Sequence, residues 1–207
     1  MYPPPPNRQE DPDEILAFMR EYAFATLVTA GAGGMVATHI PLSVRRDGDS
    51  LRISGHIARA NQQAAHLAAG TEAMAIFTEP HAYISPEHYE PGRWVPTWNY
   101  IAVHAYGVPQ VRESREAKLA NLAETVAAND PGFQAALDAY PAEFIDAKLK
   151  GIVAFDMPVA RIDARWKLSQ DRKPVERERI ERALRDSGDP AANGLARYMG
   201  QQAGASA

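Results

Sequence analysis

The stretch from Glu79 to Gly107, EPHAYISPEHYEPGRWVPTWNYIAVHAYG, carries four prolines and the pair Pro91-Gly92, so no regular helix can run through it. Its ends, HAYIS and NYIAVHAYG, alternate as strands do, and the segment between them reads as a loop. In the second of these strands Ile101, Val103 and Ala105 share the face that suits a core, while Tyr100, Ala102, His104 and Tyr106 share the other. Two of the chain's three tryptophans and three of its six histidines fall within this stretch. Such crowding fits either an aromatic-rich core loop or the wall of a pocket for a flat, polar-edged ligand.

Around this stretch the rest of the chain supplies more short strands. Phe24–Thr29, Met35–Leu42 and Ser50–His56 are separated by the turn signals Gly31–Gly34 and Asp47-Gly48-Asp49, which predicts an antiparallel meander. Alternation places Val36, Thr38, Ile40 and Leu42 on one face, with His39 opposite. It sets Leu51, Ile53 and Gly55 against Arg52, Ser54 and His56. A buried-looking strand, Glu72–Phe77, leads into the aromatic stretch, and Gly151–Met157 and Val159–Lys167 restore strand character late in the chain. Helices are predicted after Asp11-Pro12, at Asn61–Ala69, at Ser114–Asn129 with Leu119, Leu122 and Val126 as its spine, and over Pro131–Lys150 with a break at Pro141. His66 reads as a packed or exposed helix residue. Lys173–Asp186 alternates arginine and glutamate as a salt-bridged solvent face does, and Asp189–Gln202 reads as a last helix before a disordered tail. The expectation is mainly β with α additions: a small β-barrel of six or more antiparallel strands and peripheral helices. Residues 1–187 form its domain and 188–207 a C-terminal helix and flexible tail.

Composition limits the chemistry. The 207 residues suit one domain, and the 45% hydrophobic content suits one core. With no cysteine there is no disulfide, thiolate metal site or cysteine nucleophile. No apolar run has transmembrane length and MYPPPPNRQEDPDE lacks the parts of a signal peptide, so a cytoplasmic protein off the membrane is expected. A net charge of −4 argues against broad phosphate-driven nucleic-acid binding. His81 and His88 lack metal-ligand spacing, Ser85 and Ser169 lack a nucleophile elbow, and there is neither a P-loop nor GxGxxG, which leaves no metal expected. Thr38, Ser54, His56, Arg59 and Asn61 nevertheless offer hydroxyl, imidazole, guanidinium and amide donors of the kind a phosphate monoester needs. Trp94, Trp98, Tyr83 and Tyr100 offer flat faces for a ring.

ATHIPL (37–42), SGHIARANQQ (54–63), PHAYISP (80–86), VPTWNY (95–100), VHAYG (103–107), KGIVAF (150–155) and KLSQDR (167–172) follow one another in that order. Together they resemble the PaiB-like family of FMN-binding negative transcriptional regulators, from residue 1 to about 185. The resemblance implies a split β-barrel (FMN-binding split-barrel type) that pairs as a homodimer with FMN at the subunit interface. It places Thr38, His39, His56, Arg59, Asn61 and Gln62 at the phosphate and ribityl chain. Trp98, Asn99 and Tyr100 then border the flavin, by one reading from the partner subunit, and Lys167, Ser169, Gln170 and Arg172 approach the cofactor. One departure stands out: family members often carry proline and tryptophan soon after the ARAN-like asparagine, where this chain has Gln62 and Gln63.

The resemblance implies a repressor, a flavoprotein that binds DNA, although no helix-turn-helix is recognisable in the sequence. The alternative is a flavin-dependent oxidoreductase with a nicotinamide donor, in which His81 or His104 supplies a proton. The same fold can also hold haem, which absorbance distinguishes from flavin.

Overall fold

The structure is a computed structural model that describes residues 1–31 and 33–205. Helix α1, Pro12–Glu21, opens with proline in its first turn and with Asp13 and Glu14 near the positive end of its dipole. Ile15, Leu16, Phe18 and Met19 form its buried stripe. Strands β1 (Phe24–Gly31) and β2 (Gly34–Pro41) then pair antiparallel, with Thr26 opposite His39 and Leu27 opposite Thr38. Pro41 has no N–H to continue that ladder, and after Leu42 the chain changes partner. Strand β3, Ser43–Asp47, pairs with β4, Ser50–Ala58, where the sequence suggested that Met35–Leu42 would meet Ser50–His56 directly.

Helix α2 (Gln63–Ala68) leads to β5, Ala73–Ile84, in which the two strand signals Glu72–Phe77 and HAYIS join as one element. Next come β6 (Thr97–Gly107) and a short β7 (Gln110–Arg112) that the sequence did not announce. Helices α3 (Arg115–Asn129), α4 (Gln134–Asp138) and α5 (Ala142–Lys150) follow. The two late strand signals are also one element, β8, Ile152–Lys167. Pro158 interrupts neither neighbour, because it stands opposite Arg52 at the end of the β4 ladder and beyond the β7 ladder, which ends at Asp156. Helices α6 (Pro174–Asp186) and α7 (Pro190–Ala205) finish the described chain. The last helix thus runs past Gln202 to Ala205, into the segment expected to be a disordered tail; Ser206 and Ala207 lie outside the described residues. Among the described residues no helix is long and apolar enough to cross a membrane.

The strands form the order β2-β1-β5-β6-β8-β4-β3, with β7 on β8, and the β1–β2, β1–β5, β3–β4, β4–β8 and β7–β8 pairs are antiparallel. The chain gathers into two compact units. One comprises residues 1–11, 78–103 and 163–207, and the other 12–77 and 104–162. In the second unit Phe18, Met19, Leu27, Ile53, Phe77 and Phe155 are fully buried, each worth about 1.5–3 kcal/mol in apolar transfer. In the first, Ile101, Trp166, Leu168, Ile180 and Leu195 are buried.

Helix α3 departs from its expected spine. Lys118 and Asn121 are its buried residues, while Leu119, Leu122 and Val126 are half-buried. Both buried side chains meet backbone carbonyls: Asn121 Nδ2 donates to Gly55 at 3.1 Å and Lys118 Nζ to Leu149 at 3.3 Å. The backbone also approaches closely at Gly107, where a Cβ would lie 2.2 Å from the Pro158 carbonyl oxygen and 2.9 Å from Met157 Cγ. Gly107→Ala is therefore expected to lower stability in urea by about 1–3 kcal/mol. Gly33→Ala, whose added methyl meets nothing within 4 Å, should change stability by under about 0.5 kcal/mol.

Candidate cofactor site

The residues picked out from sequence fall into two groups, one in each compact unit. In the larger unit they gather around the turn from β4 into α2. Asn61 anchors this turn with both prongs of its amide: Nδ2 donates to Thr38 Oγ1 at 2.9 Å and Oδ1 accepts from the Gln63 N–H at 2.9 Å. Gln63 itself is completely buried, and its Nε2 faces the Leu27 carbonyl (3.0 Å), Thr29 Oγ1 (3.1 Å) and the Val36 carbonyl (3.2 Å). Thr29 is also bonded to His66 Nδ1 at 2.8 Å, and the imidazole packs onto Gly31, where any Cβ would come within 2.4 Å of the ring. Gly31 is glycine because His66 occupies that space. Helix α2 is thus bolted across the β1–β2 hairpin, leaving Gln62 exposed at its start.

Thr38 and His39 point to opposite faces of β2, as alternation requires, and His39 Nδ1 pairs with Thr26 Oγ1 at 2.9 Å. His56 Nδ1 lies 3.0 Å from Asn121 Oδ1. None of the side chains now named beside Thr38, His39, His56 and Asn61 is a carboxylate. Thr38 accepts from Asn61 and keeps its own hydrogen for another acceptor. Hydroxyl, amides and imidazole are chemistry that fits a phosphate monoester and a sugar-alcohol chain.

Arg59 stands apart from this set. Its Nε donates to the Lys150 carbonyl (3.0 Å), and Nη2 donates to the Ile152 carbonyl (3.0 Å) and to both oxygens of Glu113 (2.9 and 3.2 Å). The guanidinium braces the end of β4 against the start of β8, and its charge is matched by a carboxylate. Glu113 also bonds the buried Lys118 ammonium at 2.8 Å. Hydrogen bonds from Lys118 and then Arg59 hold the Glu113 carboxyl below its ordinary range. Neither Glu113 nor Lys118 was picked out from sequence, since a lysine at a helix position normally reads as solvated.

In the smaller unit, Trp98 is half-exposed, with Tyr83 at its edge (ring centroids 6.0 Å) and His81 tilted beside it (5.9 Å). Lys167 Nζ bonds Thr97 Oγ1 and the Trp98 carbonyl, the latter at 2.7 Å. Burial and then the neighbouring Arg165 cation push its ammonium below the ordinary lysine value. Arg165 lies over the Tyr100 ring at 5.2 Å. This half-exposed indole with a cation at its backbone fits the flat face and polar edge of a flavin ring.

The other members of this group do different work. Asn99 is fully buried and donates to Ser169 Oγ at 2.8 Å, while its Oδ1 has no hydrogen-bond partner. Ser169 has φ +58°, the left-handed region in which a non-glycine residue is strained. Such strain persists only where the surroundings impose it, and functional sites are where it concentrates. Gln170 closes the same turn by accepting from Leu168 N (2.8 Å) and Asn7 Nδ2 (3.0 Å) and donating to the Trp166 carbonyl. Arg172 stacks over Tyr89 (4.3 Å) and Trp94 (4.6 Å). Burial raises the Tyr89 phenol pKa, and the Arg172 cation partly offsets that. Buried Glu176 accepts from the Glu90 N–H at 2.8 Å, a carboxylate held below its ordinary range chiefly by that bond. The sequence placed Glu176 on a solvated face; instead it fastens the loop before β6.

A family described as "Putative FMN-binding domain" matches residues 1–161. The Bacillus subtilis "Protease synthase and sporulation protein PAI 2" is 34% identical over 205 residues, which cover 96% of each chain. The chain belongs to this PaiB-like FMN-binding family. With the family comes the cofactor expected from sequence, FMN. Among solved structures, the chain is similar to the FAD and heme binding protein from Mycobacterium smegmatis, with TM-score 0.61 and 17% identity over 78% of this chain and 73% of that one. A flavocytochrome from Azotobacter vinelandii gives TM-score 0.60 and 15% identity over 76% of this chain and 68% of that one. At such identities the likeness speaks to the fold, and it establishes the split β-barrel that the resemblance implied.

The Glu113 contacts give a pH signature. Because its carboxyl is held below the ordinary value, its stabilising contribution is full above that value and is lost as pH falls through the lowered one. Glu113→Gln should therefore reduce stability to urea at neutral pH, where it leaves the Lys118 cation buried without its carboxylate. The gap from the parent protein should close as acid protonates Glu113.

Proposed function

We propose that the chain is an FMN-binding homodimer of the cytoplasm that acts as a negative transcriptional regulator. In this reading Thr38, Asn61 and Gln62 take the phosphate, His56 and His39 approach the ribityl chain, and Trp98, Asn99, Tyr100 and Lys167 border the flavin across the dimer. Ser169, Gln170 and Arg172 shape the segments that carry those residues, and Arg59 holds the turn in place. The observation that carries the reading is the outward face of β2, β1 and β5. Phe24 and Met35 are 72% and 77% exposed, and register sets them on one face with Val28, Ala37, Met74 and Ile76 around the Thr26–His39 pair. An uncovered apolar sheet face on the strand that also presents Thr38 suits a second copy of the chain, with the cofactor at its margin.

FMN, when bound, supplies redox chemistry that the side chains lack. That supports a second reading, a flavin-dependent oxidoreductase, on one observation: the Lys167 ammonium stands at the Trp98 backbone, where a cation would stabilise negative charge on a reduced ring. The regulator reading draws on the family resemblance and on the near full-length similarity to the Bacillus protein.

The purified protein is expected to show an oxidised flavin spectrum, to release a ligand with the mass of FMN and to sediment as a dimer. Replacing Phe24 and Met35 together by Asp should give a folded monomer. Thr38→Val should weaken FMN by about 1.5–3 kcal/mol if the hydroxyl donates to phosphate. A salt-dependent shift of its own promoter fragment supports the regulator. Bleaching of the flavin by anaerobic NADH or NADPH, with no shift at low salt, decides for the oxidoreductase.

A further inference from the structure

His56 and Asn121 come from distant parts of the sequence, strand β4 and helix α3, and their pairing fixes where protons lie. Asn121 is 6% exposed, and one prong of its amide is 3.1 Å from the Gly55 carbonyl oxygen. That prong must be nitrogen, because two oxygens at this distance would repel and leave both without a hydrogen. The other prong, 3.0 Å from His56 Nδ1, is therefore oxygen, which can only accept. Nδ1 must then carry the hydrogen, and in the neutral imidazole Nε2 is left with its lone pair. A single backbone carbonyl thus sets the amide, and the amide sets the ring.

We propose that Asn121 is a positioning residue that holds His56 in the Nδ1–H tautomer, so that His56 accepts a hydrogen bond from a ribityl hydroxyl of the cofactor rather than contacting its phosphate. The inference rests on the placement of His56 at FMN given above. A hydroxyl has a hydrogen to offer the Nε2 lone pair. A phosphate dianion has only oxygens, so a contact to it would require a second proton on the ring, at Nε2, whereas a hydroxyl meets the neutral ring as it stands. The phosphate is left to Thr38, Asn61 and Gln62, whose hydroxyl and amides carry hydrogens, while His56 selects for the polyol. A phosphorylated ring ligand without the hydroxyl chain leaves Nε2 unmatched, so the site discriminates by chemistry as well as by shape.

The tautomer is read directly by long-range nitrogen–proton NMR on the full-length 15N-labelled chain without FMN. The spectrum is recorded at a pH of about 8.5, roughly two units above the value of a free imidazole. The wild type should show a pyrrole-like Nδ1 and a pyridine-like Nε2 at His56. Asn121→Leu, which can neither accept at Nδ1 nor donate to the Gly55 carbonyl, should abolish that pattern. FMN titration should show His56→Ala weakened by about three- to tenfold, the order of one hydrogen bond to a neutral group. Asn121→Leu should be weakened to a similar extent. A proton on Nε2 in the wild type, or an unchanged tautomer in Asn121→Leu, overturns the role of Asn121 whatever the cofactor does. The expected tautomer with unaltered FMN affinity in His56→Ala overturns instead the placement of His56 at the cofactor, and the polyol contact with it.

Discussion

The buried amide of Gln63 is the contact on which the rest of the candidate site depends. Its nitrogen meets two backbone carbonyls and one hydroxyl of the β1–β2 hairpin. Three acceptors share two hydrogens, and the amide oxygen has no hydrogen-bond partner. Within a fully buried setting this arrangement holds α2 in one place, because any shift would leave further polar groups unmatched. Position follows outward from there. Asn61, two residues earlier, caps the Gln63 N–H and reaches Thr38, and Gln62 is held between them at the surface.

Polar groups set the geometry elsewhere too. Helix α3 is tied to β4 through Asn121 and to α5 through Lys118, and α6 holds the loop before β6 with a buried carboxylate. Each of these contacts is directional, so each fixes orientation as well as proximity. The apolar residues fill the interior of each unit and set no direction. The face of β2, β1 and β5 is apolar yet exposed at Phe24 and Met35, and His39 with Thr26 gives its centre a polar mark.

Much of the architecture was legible because it follows local periodicity. The face assignments of Val36, Thr38 and Ile40 against His39, and of Ile101, Val103 and Ala105 against Tyr100 and His104, need only a period of two. Strand continuity was not legible at Pro80 or Pro158, since a proline reads as a break unless its position in the ladder is known. The candidate site was visible as a set of motifs but not as a set of roles. Arg59 looked like a phosphate ligand on residue type alone, and its engagement with Glu113 and two carbonyls depends on residues more than fifty positions away. Asn121, Lys118 and Glu176 left no local signal, because an isolated polar residue on an amphipathic helix is normally solvated. His66 was read as merely packed or exposed, and its bond to Thr29 is equally invisible without the fold.

The central claim is that the turn held by Gln63 presents Thr38, Asn61 and Gln62 to the phosphate of FMN beside a self-associating sheet face. A crystal structure of the FMN-loaded protein tests this most directly. The account predicts the phosphate within hydrogen-bonding distance of the Thr38 hydroxyl and the Asn61–Gln62 turn, with the faces of Phe24 and Met35 buried against a second chain. Phosphate bound away from that turn, or FMN held by a single chain whose sheet face stays open to solvent, would contradict it.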